Sequence, residues 1–208
     1  MSDWTLPPCS TLVCGMTGSG KTTFAIRYLL NVPAACRFVF DDLGQFKARL
    51  PQIPHSSTAA QLEAALASRW VVFNPHPMFP GDTTSAFRFF CAWAMDAAKR
   101  GPGKKVFIAD EIWQHQTAHG IPKELATLAQ CGRAENLELV SITQMPHRLN
   151  SSLTGNSSEL VCFRLDEDLA LDKAEELGLA PEKVRNLPLG SFIALNRISR
   201  GTLAGRLF

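Results

Sequence analysis

The chain has 208 residues, a net charge of +2 and 46% hydrophobic residues, which suits one domain spanning 1–208 and neither demands nor excludes a polyanion partner, since a local patch would suffice. Its six cysteines (Cys9, Cys14, Cys36, Cys91, Cys131 and Cys162) form no CxxC pair, which argues against a disulfide framework or zinc site and for free thiols in a reducing compartment. There is no run of about 18 apolar residues and no basic region leading into an apolar core at the start, so neither a membrane span nor a signal peptide is expected, and a soluble intracellular protein is.

Thr11 to Cys14 is apolar and partly β-branched, the pattern of a buried parallel strand. Directly after it, Gly15 to Thr22 reads Gly-Met-Thr-Gly-Ser-Gly-Lys-Thr, a complete GxxxxGK[ST] phosphate-binding loop. Glycines let successive backbone N–H groups point inward at a phosphate, Lys21 reaches the β- and γ-phosphate oxygens, and the Thr22 hydroxyl ligates Mg²⁺. The following helix, from Thr23 to Leu30 and forbidden beyond by Pro33, turns its positive end to the same anion. The expected ATP contacts are Gly15, Thr17, Gly18, Ser19, Gly20, Lys21, Thr22 and Thr23.

Apolar runs and helical stretches then alternate. Arg37 to Phe40 is a strand ending in Asp41-Asp42. A helix is expected from Ala59 to Ser68, capped by Ser57 or Thr58, and Trp70 to Phe73 is a strand stopped by Asn74-Pro75. Between Thr84 and Arg100 a helix places Phe87, Phe90, Cys91, Ala94 and Met95 on one stripe, with Phe89 and Trp93 off it, so most of its circumference is apolar and buried in the fold or at a subunit contact. Strands are expected over Val106 to Glu111, Leu137 to Gln144 and Leu160 to Phe163, a helix from Glu167 to Leu177, and a closing strand pair over Ser191 to Leu195 and Thr202 to Phe208. This order implies an α/β fold, a mostly parallel sheet sandwiched by helices with a C-terminal β-hairpin. Ligands in such sheets sit beyond the carboxyl ends of the strands.

The residues at the strand ends carry the chemistry. Asp110 is placed to hold Mg²⁺ opposite Thr22, and Glu111 to orient and deprotonate a water attacking the γ-phosphate. Gln144, after Ser-Ile-Thr, is placed to hydrogen-bond that water and the γ-phosphate. Arg133, in Cys131-Gly132-Arg133-Ala134, is expected on a surface loop after a short helix ended by Gly132. From there it could reach a neighbouring subunit's γ-phosphate, a role for which Arg148 and Arg164 compete.

The combination of Gly15–Thr22, Ile108-Ala109-Asp110-Glu111, Gly132-Arg133-Ala134 and Ile142-Thr143-Gln144-Met145-Pro146 resembles the FtsK–HerA superfamily of ring-forming, DNA-pumping ATPases over roughly residues 10 to 165. The resemblance implies a P-loop NTPase of the RecA-like (ASCE) arrangement. It implies catalytic roles for Lys21, Glu111, Gln144 (sensor) and Arg133 (finger acting in trans), with ATP and Mg²⁺ bound. The compact length is similar to the genome-packaging ATPases of tailless icosahedral viruses with an internal membrane. Those imply a homo-oligomeric ring, hexamer or pentamer, that drives double-stranded DNA into a preformed capsid. A capsid or membrane-vertex protein is then a further partner, and the host cytoplasm or a virion packaging vertex the location.

Two basic stretches are candidate DNA contacts: Lys99 to Lys105, at the strand end opposite the nucleotide, and the tail with Arg185, Arg197, Arg200 and Arg206. The alternative is a solvated turn or protected sheet edge. The acid-rich stretch from Asp166 to Glu176 is expected away from DNA. His115 and His119 could share a helical face, but lack a third nearby metal ligand. Three readings remain open on residues alone: a hydrolysing motor, a small-molecule kinase using the same loop, and an ATP-dependent assembly switch of the phage-morphogenesis type. Glu111 and Gln144 favour water as the acceptor.

Overall fold

The computed structural model describes residues 10–116 and 120–208, so Cys9 and His119 lie outside it. The elements in chain order are β1 (Ser10–Cys14), α1 (Lys21–Asn31), β2 (Cys36–Phe40), α2 (Gln45–Arg49), β3 (His55–Ser56), α3 (Ala59–Ala65), β4 (Trp70–Phe73), α4 (Thr83–Lys99) and β5 (Lys105–Ala109). There follow α5 (Lys123–Cys131), β6 (Leu137–Thr143), α6 (Ser151–Asn156), β7 (Ser157–Phe163), α7 (Asp168–Glu176), α8 (Pro181–Arg185), β8 (Ser191–Asn196) and β9 (Thr202–Arg206).

One sheet runs β3-β4-β2-β5-β6-β1-β7-β8-β9. Every pairing from β3 to β7 is parallel, and β7–β8 and β8–β9 are antiparallel, which gives the expected closing hairpin. Side chains alternate across the strands and feed two separate cores. On one face Leu12, Phe38, Phe40, Phe73 and Phe107 meet α4, α5 and α7; on the other Val13, Val39, Ile108, Ile142 and Phe163 meet α1 and α2.

Local chemistry explains the boundaries. The Thr58 hydroxyl accepts the Gln61 backbone N–H at 3.2 Å and starts α3. Asp82 does the same for α4 through Ser85 at 2.9 Å. The apolar circumference of α4 is consumed inside the molecule: Phe87 packs on Phe40 at 5.1 Å and Phe90 on Phe73 at 5.1 Å, ring centre to ring centre. Its flanks carry exposed ties instead, Arg88 to Glu124 on α5 and Trp93 Nε1 to Glu63 on α3. The short elements α2, β3, α6 and α8 have no counterpart in the sequence expectations, because two to six residues carry too little periodicity to register. Gly132 caps α5, as expected, but not in the left-handed conformation common to such glycines. It has φ −55° and leads into a 3₁₀ turn over Gly132–Glu135, and Asn136 takes the left-handed cap at φ 55°. A side chain at 132 would put its Cβ 3.0 Å from the Leu137 carbonyl oxygen, so that glycine serves close approach rather than a turn.

Candidate active site

The loop between β1 and α1 is shaped by two glycines in the left-handed region, Gly18 at φ 76° and Gly20 at φ 115°. No side chain caps the N-terminus of α1, so its first N–H groups face the loop's concavity without an intrahelical acceptor. The Ser19 hydroxyl oxygen is buried with no partner among the described residues. Lys21 is buried as well, and its Nζ donates to the Met16 carbonyl at 3.1 Å. Burial lowers the Lys21 pKa, against the opposing pull of Glu111 and Asp110. An orphaned hydroxyl, a desolvated ammonium and an uncapped helix end all want an anion, and they fit a phosphate chain.

Asp110 and Glu111 emerge where β5 stops. Asp110 Oδ2 lies 3.4 Å from the Thr22 hydroxyl, which also lies 3.2 Å from Gln45 Oε1 on α2. This all-oxygen set fits a hard cation such as Mg²⁺. Burial, and then Glu111, push the Asp110 pKa up, so its charge is one a cation would relieve. Glu111 itself sits at φ 46°, unusual for a residue with a side chain. Its Oε2 accepts from Trp113 Nε1 at 2.9 Å and from the Gln144 backbone N–H at 3.3 Å, while its own N–H donates to Asp110 Oδ1 at 2.9 Å. The carboxylate is therefore aimed and not swinging free.

Gln144 comes to this group because β6 lies between β1 and β5. Its side-chain Oε1 accepts from the Thr17 hydroxyl of the phosphate loop at 2.5 Å. A continuous path thus runs from Thr17 through Gln144 to Glu111 and Trp113. One cleft of about 430 Å³ is lined by Thr17, Gly20, Lys21, Thr22, Asp110, Glu111 and Gln144 together. It also includes Leu43, Gln45, Arg49, Gln114 and Phe208, which belong to no motif and were not anticipated.

The three candidate finger arginines separate. Arg133, in its 3₁₀ turn, precedes the 7 residues of β6 that end beside the loop, so it lies about 20 Å away, at the amino ends of the strands. It cannot serve its own site. Arg148 holds its guanidinium 5.3 Å from the ring centre of Trp113, the residue that bonds Glu111. Arg164 pairs with Asp166 at 2.8 Å, and its carbonyl accepts the Met16 N–H at 2.8 Å.

No protein-family model and no curated relative matches the sequence. Solved structures do. The genome-packaging NTPase B204 from Sulfolobus turreted icosahedral virus 2 in complex with ATP-gammaS matches with a TM-score of 0.78 at 17% identity, covering 97% of this chain and 98% of that one. Its complex with AMP gives 0.77 at 17%, covering 98% and 99%. VirB4 of Thermoanaerobacter pseudethanolicus gives 0.73 at 12%, covering 96% and 89%. The fold is that of a P-loop NTPase. The match to the packaging NTPase runs over nearly the full length of both chains.

Other candidates fall outside the cleft. His115 is buried and stacked on Phe87 at 4.0 Å, and burial lowers its pKa to about 4. Among the described residues no group of three His, Cys, Asp or Glu is placed to hold a metal. In the basic turn, Lys104 pairs with Glu138 at 2.7 Å, Arg100 with Glu63 at 2.8 Å, and buried Lys105 donates to the Glu135 carbonyl. Arg185 pairs with Asp168, and Arg197 donates to the Thr154 and Ser157 carbonyls. Much of the charge read as free in the sequence is thus engaged internally. No helix among the described residues is long and apolar enough to cross a membrane.

Proposed function

We propose that the chain hydrolyses ATP and couples the hydrolysis to movement of double-stranded DNA, as the packaging motor of a viral genome. The observation that carries the hydrolytic part is the joining of the phosphate loop, the acidic pair and Gln144 in one cleft. Backbone N–H groups of Gly15 to Thr23, the Ser19 hydroxyl and Lys21 bind the triphosphate. Thr22 and Asp110 would hold Mg²⁺, which when bound would supply neutralisation of the developing phosphate charge. Glu111, aimed by Trp113, accepts the proton of the attacking water, and Gln144 positions that water against the γ-phosphate. Because Gln144 also holds Thr17, loss of the γ-phosphate can be relayed between the loop and the base.

The DNA part rests on the shared fold with a genome-packaging NTPase. Arg133, at the edge away from its own nucleotide, suits action only on a neighbouring copy. We assign it the trans finger of a homo-oligomeric ring, a hexamer or pentamer, with a capsid or membrane-vertex protein as docking partner. The deciding experiment measures phosphate release with and without double-stranded DNA across protein concentrations. Stimulation that grows with concentration is expected. Release that ignores both variables would reject the motor, and a requirement for a small phosphoryl acceptor would make the chain a kinase.

A further inference from the structure

Once the groups assigned to phosphates, cation and water are set aside, four residues of the large cleft remain: Leu43, Arg49, Gln114 and Phe208. Leu43 and Gln114 also line a small adjoining cavity with Asp110 and Glu111, on the γ-phosphate side. Arg49 and Phe208 do not. They line only the large cleft, on the side of Ser19 and Thr23.

Both are anchored to the loop and its helix. Arg49 Nη1 donates to the Thr23 hydroxyl at 2.9 Å. Phe208 follows β9, which returns the chain to the loop. Leu207 packs against Gly20, its N–H donates to the Gly190 carbonyl at 2.8 Å, and its carbonyl accepts from Arg27 at 2.7 Å. Gly190 in turn donates to the Ser19 carbonyl at 3.2 Å. The Phe208 ring lies against Gly190 so closely that a Cβ there would stand 2.6 Å from it. Gly190 is at φ 77°, doubly closed to a side chain. Even so, Phe208 is 62% exposed. An aromatic ring fastened at the rim of a polar cleft, with most of its surface open, offers a face on which a planar ligand can stack.

We propose that Phe208, with the Arg49 guanidinium, forms the base subsite of this nucleotide site and holds the purine by stacking. The proposal rests on the cleft being a triphosphate site. Aromatic and guanidinium planes recognise a π-face and not a hydrogen-bonding edge. The subsite therefore takes adenine and guanine with similar affinity.

The test is calorimetric titration of Mg²⁺ with ATP, GTP and inorganic tripolyphosphate into wild type, Phe208→Ala, Phe208→Leu, Phe208→Trp and Lys21→Ala. Wild type is expected to bind ATP and GTP within a few-fold of each other. Phe208→Ala and Phe208→Leu, the latter retaining apolar contact with Gly190, should weaken both nucleotides by roughly 5- to 100-fold. Phe208→Trp should not, and tripolyphosphate should bind all Phe208 variants equally. Unchanged ATP affinity in Phe208→Leu, equal loss for all three ligands, or strong preference for one purine would each overturn the subsite. Binding of all three ligands unaffected by Lys21→Ala would instead overturn the triphosphate site itself.

Discussion

Glu111 is held by more than its place after a strand. Its left-handed backbone turns the carboxylate back over the cleft, and the Trp113 indole and Gln144 N–H both grip one oxygen. Two substitutions separate chemistry from aim. Glu111→Gln keeps an acceptor for Trp113 but removes the proposed base, so on that assignment turnover should fall on the order of 10²–10⁴-fold with ATP affinity intact. Single-turnover hydrolysis beside equilibrium binding measures this, and undiminished hydrolysis would place the base elsewhere. Trp113→Phe keeps a ring for Arg148 to stack on and removes only the N–H, so kcat should fall roughly tenfold at unchanged nucleotide affinity. If kcat and affinity fell together, Trp113 would be supporting the fold of the loop rather than aiming the carboxylate. Asp110 and Glu111 were legible as an acidic pair because they adjoin in the chain. That Trp113 aims one of them was not, since an indole two residues on from a carboxylate has no fixed direction until the backbone turn is known.

At the scale of elements, α4 and the 3₁₀ turn over Ile112–His115 lock the strand ends in place. His115 takes part as an uncharged ring between Phe87 and Phe40. Burial depresses its pKa from 6.5 to about 4. The unfolded chain therefore binds this proton first, and stability from this group is full above pH 6.5 and lost as pH falls toward about 4. The shift corresponds to about 3 kcal/mol. Urea denaturation between pH 7 and pH 4 should show His115→Phe losing less stability than wild type by about that amount. Parallel pH profiles for the two proteins would mean the ring is not neutral in the fold. Most elements were legible, since α1, α3, α4 and the core strands carry a clear period or a capping residue. The helix α2 was not. Its five residues start at a left-handed glycine and are fastened by Asp41, which accepts from Phe46 N–H at 3.1 Å and Lys47 N–H at 2.9 Å. It nevertheless brings Gln45 and Arg49 to the site.

For the whole molecule, the sheet order sets what one copy can do alone. Its carboxyl edge carries the nucleotide cleft, and its opposite edge carries Arg133. If that arginine completes a neighbour's site, Arg133→Ala should lose nearly all DNA-stimulated hydrolysis while binding ATP normally. Mixing it with Lys21→Ala should restore part of the activity, because a mixed interface pairs an intact loop with an intact arginine. Absence of rescue across mixing ratios, with both variants still assembling, would remove Arg133 from the site. The basic turn and tail offer less to DNA than their composition implied, because Lys104, Arg100, Arg185 and Arg197 are already partnered within the chain.

By itself, the sequence determined whatever depends on neighbours in the chain: the phosphate loop, the strand before it, the helix after it, and the acids and amide at successive strand ends. Such features follow from local backbone geometry and from burial patterns that a few consecutive residues reveal. Only the tertiary structure decided that β6 lies between β1 and β5. That placement joins Thr17 to Gln144 across 127 residues. It also decided that β9 carries Phe208 back to the mouth of the cleft. Those placements come from packing two faces of one sheet and closing long connections, which fix distances that no local propensity encodes.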